Sequence, residues 1–151
     1  MMPARKPILP PVFFWGAVAI AAALGFFLPG ARFLGWPWRW TGILPIVFGV
    51  AWNGIADGAF RKAGTTVKPF EESSALLTGG VFAASRHPMY LGMTAILLGE
   101  AILFGALTPL LPAVLFPILM EIRFIRAEES MMEERFGEEW RAYRRRVRRW
   151  I

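Results

Sequence analysis

Cysteine is absent from the chain, and histidine occurs once. The first absence removes disulfides, thiolate metal sites and cysteine nucleophiles together. The second leaves a histidine-rich metal centre without its ligands, so no metal is expected. Charge is scarce too: 19% of the 151 residues are Asp, Glu, Lys or Arg, against 56% hydrophobic. These charges gather in a few places, as a bilayer imposes, since an ionised side chain at mid-membrane costs several kcal/mol. The length fits one domain and leaves no room for a separate soluble catalytic module. Any chemistry must be built from membrane helices and their connections. The formal charge is +6, and in a chain this apolar it points to anionic lipid head groups ahead of nucleic acid.

What is there is a series of apolar runs. A membrane helix needs roughly 20 mostly apolar residues. Residues 11–28 qualify without a single charge, and the run is too long, and too poor in a small-residue cleavage pattern, to read as a removable signal peptide. A second span is predicted over 40–56, with Trp36, Trp38 and Trp40 at its start, where indole rings favour the interface. From Met89 the chain is apolar for longer than one span, interrupted by Thr108, Pro109 and Pro112. A Thr-Pro pair reads as a helix start, so the run divides into spans over 89–106 and 109–124. The expected fold is all-α: a polytopic membrane protein with four transmembrane helices and a C-terminal amphipathic interfacial helix.

Lysine and arginine set the orientation. With the N-terminus inside, Arg5, Lys6, Arg61, Lys62, Lys68, Arg86 and every basic residue from Arg123 onward are cytoplasmic. Only Arg32 and Arg39 of the 17 basic residues fall outside. Both termini are therefore expected in the cytoplasm, and the membrane is the plasma membrane if the source is prokaryotic. The soluble parts are a loop over 57–88 and a tail over 125–151. In the tail Met132, Phe136, Trp140, Tyr143, Val147 and Trp150 recur every three or four residues, on one helical face. Six arginines lie between Arg141 and Arg149. Such a helix either lies on anionic lipid or packs over the cytoplasmic ends of the spans and covers a site; the two are compatible.

Three features carry chemistry. Ser85-Arg86-His87-Pro88-Met89-Tyr90-Leu91-Gly92 stands where the chain returns to the apolar phase. Pro88 pre-sets a helix start whose free amides, with Arg86 and His87, would receive an anionic group such as a carboxylate. An ordinary span boundary, with Arg86 on lipid phosphate, has the same composition. Glu128-Glu129 follow Glu121, Arg123 and Arg126, and carboxylates so placed accept from ribose hydroxyls or pair with an ammonium. Adjacent helical residues point about 100° apart, so one of the two faces a pocket better than the other. Glu133, Glu134, Glu138 and Glu139 read as a solvated counterweight to the arginines. Glu100, between Gly99 and Ala101 in the third span, needs a partner or a polar cavity, or else protonation and a hydrogen bond to a neighbouring helix.

Taken together and in this order, these features resemble the isoprenylcysteine carboxyl methyltransferases and the related phospholipid methyltransferases. The first family motif, Arg-His-Pro-x-Tyr-x-Gly, is matched by Arg86, His87, Pro88, Tyr90 and Gly92. The second, paired glutamates followed by an apolar residue, Phe-Gly and aromatics, is matched by Glu128, Glu129, Met132, Phe136, Gly137, Trp140 and Tyr143. Gly64-Thr65-Thr66-Val67 with Pro69, then Leu77 to Phe82, looks like the loop before the first motif. The similarity covers roughly residues 50–151.

The resemblance implies S-adenosyl-L-methionine bound from the cytosolic side in a pocket closed by the tail, with a lipophilic acceptor entering from the bilayer. It implies cofactor contacts at Gly80, His87, Tyr90, the neighbourhood of Glu100, and one of Glu128 and Glu129; on charge, Arg86 and His87 would hold the methionine carboxylate. It associates the arginine before the glutamates, here nearest Arg123, with the acceptor. If the acceptor is an amine, Glu129 or Glu100 would take its proton; a carboxylate acceptor needs no base. Two other classes stay open. Reductases of the sterol-reductase type share a similar C-terminal organisation, but the extra phosphate of NADPH would meet Glu128 and Glu129. A non-enzymatic lipid-binding scaffold would leave Glu100 and the first motif unexplained.

Overall fold

The computed structural model describes residues 9–65 and 74–151. The expectations that fall on Arg5, Lys6, Thr66, Val67, Lys68 and Pro69 lie outside the described residues. Among the described residues the protein is all-α, with a single isolated bridge between Arg32 and Ala106 in place of any strand.

Helix α1, Pro10–Phe27, opens on proline, whose fixed φ and missing N–H suit a first turn. A 3₁₀ turn, Trp38–Gly42, leads directly into α2, Ile43–Lys62. This helix runs on past the predicted end at 56. Its polar extension carries Asp57 and Arg61 one turn apart, paired at 2.6 Å, so the charges that read as loop are a solvated helical end. A second 3₁₀ turn, Gly80–Ala83, precedes α3, Pro88–Phe104. Gly105 ends α3 in the left-handed conformation, φ 63°, that glycine adopts without strain.

Helix α4, Leu110–Met120, differs from expectation at its C-terminal end. It passes through a π-turn, Glu121–Ile125, into α5, Arg126–Arg146, so the fourth predicted span and the tail form one helical column. In the π-turn the Arg126 N–H donates to the Glu121 carbonyl, five residues back. That extra residue rotates the start of α5 relative to α4, and such turns recur at functional sites. Further on, Gly137 (φ 51°, ψ −117°) bends α5.

α3 is the central element. On one side Gly49 and Gly42 of the α2 arm sit so close to α3 that a Cβ on either would strike the carbonyl of Gly92 or Gly99. Between helices in lipid, where water does not drive association, small residues that permit such approach supply much of the packing. On the other side Tyr90, Met93 and Leu97 pack with Phe14 of α1, Phe116 and Met120 of α4, and Phe124 and Ile125 of the π-turn.

Outside this core the surface is apolar. Pro10–Phe27 and Trp38–Lys62 are each long and apolar enough to cross a membrane, and only 22% and 11% of their apolar windows are buried. α3, at 17 residues, and α4, at 11, are shorter. Leu111, Val114, Leu115, Ile118 and Ile122 nevertheless leave the outer side of the α4 column exposed and apolar. Surfaces of this extent are covered by lipid or by another protein.

The tail packs on the protein. Trp140 and Tyr143 are 3% and 2% exposed, and Leu76, Met132 and Phe136 complete their cluster. The Tyr143 hydroxyl donates to the Phe82 carbonyl at 2.6 Å, and Trp150 reaches the α1–α3–α4 core. Of the two compatible readings of the amphipathic face, the structure displays the one in which it caps the end of the bundle.

Candidate active site

Under that cap three cationic and three anionic side chains meet. Ser85, fully buried, accepts the His87 backbone N–H at 3.2 Å and donates to the Arg149 carbonyl at 3.2 Å. The Arg86 N–H donates to the Arg148 carbonyl at 3.1 Å. These bonds join the segment before α3 to the last residues of the chain. His87 is the N-cap of α3, and its ring lies between two carboxylates: Nε2 is 3.3 Å from Glu129 Oε1 and Nδ1 is 3.5 Å from Glu128 Oε2. An imidazolium satisfies both with its two N–H groups. Burial works against that charge, but hydrogen bonding to Glu128 and Glu129 and their negative charge outweigh it, and the His87 pKa is raised.

Glu129 is the hub. Arg149 donates from Nε to Oε1 at 3.1 Å and from Nη2 to Oε2 at 2.6 Å, and Arg86 Nη2 lies 3.1 Å from Oε1. Burial alone would raise its pKa, yet His87, Arg149 and Arg86 together hold it down at about 2. Arg149 also donates from Nη1 to Glu121 at 2.9 Å, which ties in the π-turn. Glu128 is the more open carboxylate, its side chain 19% exposed against 8% for Glu129. It accepts the Tyr90 hydroxyl at 2.6 Å.

The cluster is not self-sufficient. Arg86, its side chain 7% exposed, gives one amine to Glu129, while its buried Nε and Nη1 have no partner among the described residues. Its guanidinium stands 5.7 Å from the Trp140 ring, whose buried Nε1 is also unpartnered. A buried donor left without an acceptor costs roughly 1–3 kcal/mol. Three of them on two neighbouring side chains suit an acceptor-bearing ligand such as a carboxylate.

The structure thus brings together Arg86, His87, Tyr90, Glu128 and Glu129 of the residues singled out in the sequence. Gly80 begins the 3₁₀ turn that carries the Phe82 carbonyl; its φ of 60° favours glycine, and a Cβ there would meet open space. Glu100 is not brought in. It lies in the last turns of α3, well past its middle, about 20 Å of helix from His87 at 1.5 Å per residue, and one of its carboxylate oxygens is buried without a partner. Arg123 is exposed on the π-turn and makes no ion pair with the described residues. The arginine at the glutamates is Arg149, indistinguishable in sequence from the five others in its run. Trp140 reads in sequence as an aromatic of the second motif and of the apolar tail face, and its N–H, without a partner among the described residues, is visible only once that face is seen to be covered.

Comparison with known proteins gives a family. A family model described as phospholipid methyltransferase matches residues 38–139, more than half of the chain and both motifs but for the last aromatics. An uncharacterized protein of Haemophilus influenzae is 35% identical over 63 residues, which is 42% of this chain and the whole of that relative. No solved structure matches the chain.

Proposed function

The chain belongs to the phospholipid methyltransferase family, and from that premise we propose that it transfers a methyl group from S-adenosyl-L-methionine to a lipophilic acceptor entering from the bilayer. The acceptor class is a phospholipid amine or an isoprenylcysteine-like carboxylate. The observation that carries the reading is the set of unpartnered buried donors on Arg86 and Trp140 beside a cluster that also presents a carboxylate, Glu128. A ligand bearing both a carboxylate and an ammonium or ribose hydroxyls complements that set, so the residues fit S-adenosylmethionine.

Bound there, the cofactor supplies an electrophilic methyl group carried on a sulfonium. The protein's own residues do the rest. Arg86 and Trp140 hold the anionic end. Glu128, steadied by Tyr90, accepts from hydroxyls or pairs with the ammonium. Glu129 fixes Arg86 and His87 and touches no ligand. The apolar face of α5 excludes water. Methyl transfer depends on in-line approach and desolvation more than on acid or base groups. Glu129, its oxygens taken up by Arg149, Arg86 and His87 and its pKa lowered by them, is poorly placed to take a proton from an ammonium, so an amine acceptor reacts from its neutral form or gives its proton to another group. A carboxylate acceptor asks for none.

The same reading has α1 to α4 cross the bilayer with both termini cytoplasmic, supported by the lipid-like exterior of the α4 column and by the distribution of lysine and arginine. Calorimetric titration of the detergent-purified protein with S-adenosylhomocysteine, and in parallel with NADPH, tests the assignment. Saturable binding of the first alone is the expected result. Binding of NADPH alone would assign a reductase, and binding of neither by folded protein would assign a scaffold.

A further inference from the structure

At the end of the bundle remote from His87, a cleft of about 360 Å³ is lined by Phe26 of α1, Arg32, Arg39, Trp40, and Leu103 and Phe104 of α3. That volume lies within the range of small-molecule sites, roughly 300–1,000 Å³. Both arginines are held by backbone structure. The Phe33 and Leu34 N–H groups donate to the Gly105 carbonyl at 3.0 and 3.3 Å, and the Leu107 N–H donates to the Ala31 carbonyl at 3.0 Å, which fixes Arg32. A Cβ on Gly105 would collide with the Leu34 carbonyl, so this approach needs glycine. Arg39 sits in the 3₁₀ turn with its guanidinium 5.8 Å over the Trp40 ring.

Among the described residues these two cations have no counter-charge. The first 56 residues contain neither Asp nor Glu. Arg32 and Arg39 make no ion pair with the described residues, and Glu100 is not part of the cleft lining. The walls are of the opposite character: the Phe26 and Phe104 rings meet edge to face at 5.0 Å. Exposed Trp36, Trp38 and Trp40 mark this end as a membrane–water boundary.

We propose that the cleft binds an anionic phospholipid of the leaflet opposite the active site, its phosphate between Arg32 and Arg39 and its chain against Phe26 and Phe104. Guanidinium groups recognise phosphate oxygens with directed, charge-assisted bonds. A free phosphate shares the arginine chemistry but has no use for the apolar wall. The inference rests on the membrane-spanning reading and is independent of methyl transfer.

The test is photo-crosslinking of the full-length protein, reconstituted in bilayers, with a photoactivatable phosphatidylglycerol and a matched phosphatidylcholine, followed by peptide mapping. The expected result is label on the peptides of residues 26–40 and 103–104 from phosphatidylglycerol, reduced about tenfold in Arg32→Gln/Arg39→Gln, as loss of charge-assisted contacts predicts. Arg32→Lys/Arg39→Lys should keep part of it. Label on the tail arginines and S-adenosylhomocysteine affinity should stay unchanged in every variant, which separates this outcome from misfolding and from failure of the methyltransferase reading. Equal label from phosphatidylcholine, or undiminished label in the glutamine variant, would overturn the proposal. Displacement by inorganic phosphate would assign the arginines to a free anion and overturn the lipid.

Discussion

Arg149 grips both oxygens of Glu129, at 3.1 and 2.6 Å, across 20 residues that take in the bent remainder of α5 and the non-helical turn after Arg146. Through Glu129 the end of the chain is tied to Arg86 and His87, and through Glu121 to the π-turn. The clamp explains why the tail folds back over the bundle instead of lying apart on the lipid surface.

Removing the clamp should cost stability before it costs anything else. Arg149→Gln is expected to destabilise the folded protein by roughly 2 kcal/mol, the loss of hydrogen bonds between charged groups. Glu129→Gln should cost more, on the order of 3 kcal/mol, because it leaves the buried Arg86 charge without its partner. Thermal unfolding in detergent measures both. An Arg149→Gln variant as stable as the parent would mean the tail is held by Trp150 packing and by the bonds of the Arg148 and Arg149 carbonyls and the Tyr143 hydroxyl.

The two adjacent glutamates should separate by function. Glu128→Gln is expected to weaken S-adenosylhomocysteine binding about tenfold, the loss of one charge-assisted contact, with little change in melting temperature. Glu129→Gln should show the reverse emphasis, lowering the melting temperature most. Titration calorimetry beside thermal unfolding reads both, and an exchange of the two patterns would reverse the roles.

Stability should fall at both ends of the pH scale. Glu129 has its pKa depressed from 4.5 to about 2, so its contribution is complete above pH 4.5 and is lost as the pH falls through about 2. His87 has its pKa raised above 6.5, so its contribution is complete below pH 6.5 and is lost as the pH rises through the raised value. Melting temperatures followed across pH should therefore decline on the alkaline side in the parent and not in His87→Gln. An unchanged alkaline decline in that variant would assign it to another group.

Trp140→Phe deletes the N–H, which has no partner among the described residues, together with part of the buried indole. Without ligand the variant should lose some stability through the cavity left in the Trp140–Tyr143 cluster, offset in part by removal of the unsatisfied donor. If Nε1 meets the cofactor, S-adenosylhomocysteine affinity should drop roughly fivefold to tenfold, within the range of a lost hydrogen bond. Unchanged affinity would take Trp140 out of the binding set and leave Arg86 alone.

Much of this was legible in the sequence because membrane partitioning leaves a coarse signal. The apolar runs located α1 and α3, and His87, Tyr90, Glu128 and Glu129 stood out as polar residues at apolar boundaries. The exceptions have physical causes. The charged end of α2 read as loop because hydropathy reports solvent, and a helix can continue into solvent on pairs such as Asp57–Arg61. The continuity of α4 with α5 was hidden because a π-turn changes hydrogen bonding without any change in composition. Arg149 was lost in a run of like residues, since only the fold selects which arginine meets Glu129. Glu100 drew attention through its isolation, yet a position along α3 fixes its distance from His87, and that distance is large.

The most direct test is transfer itself. Protein reconstituted in bilayers and given methyl-labelled S-adenosylmethionine with membrane lipid extract should pass label into the organic-soluble fraction, and Glu128→Gln, at equal folded amount, should reduce that transfer at least about tenfold. Label transferred equally by that variant would contradict the site described above. The absence of any transfer to lipid extracts that include both amine and prenylcysteine acceptors would contradict the activity.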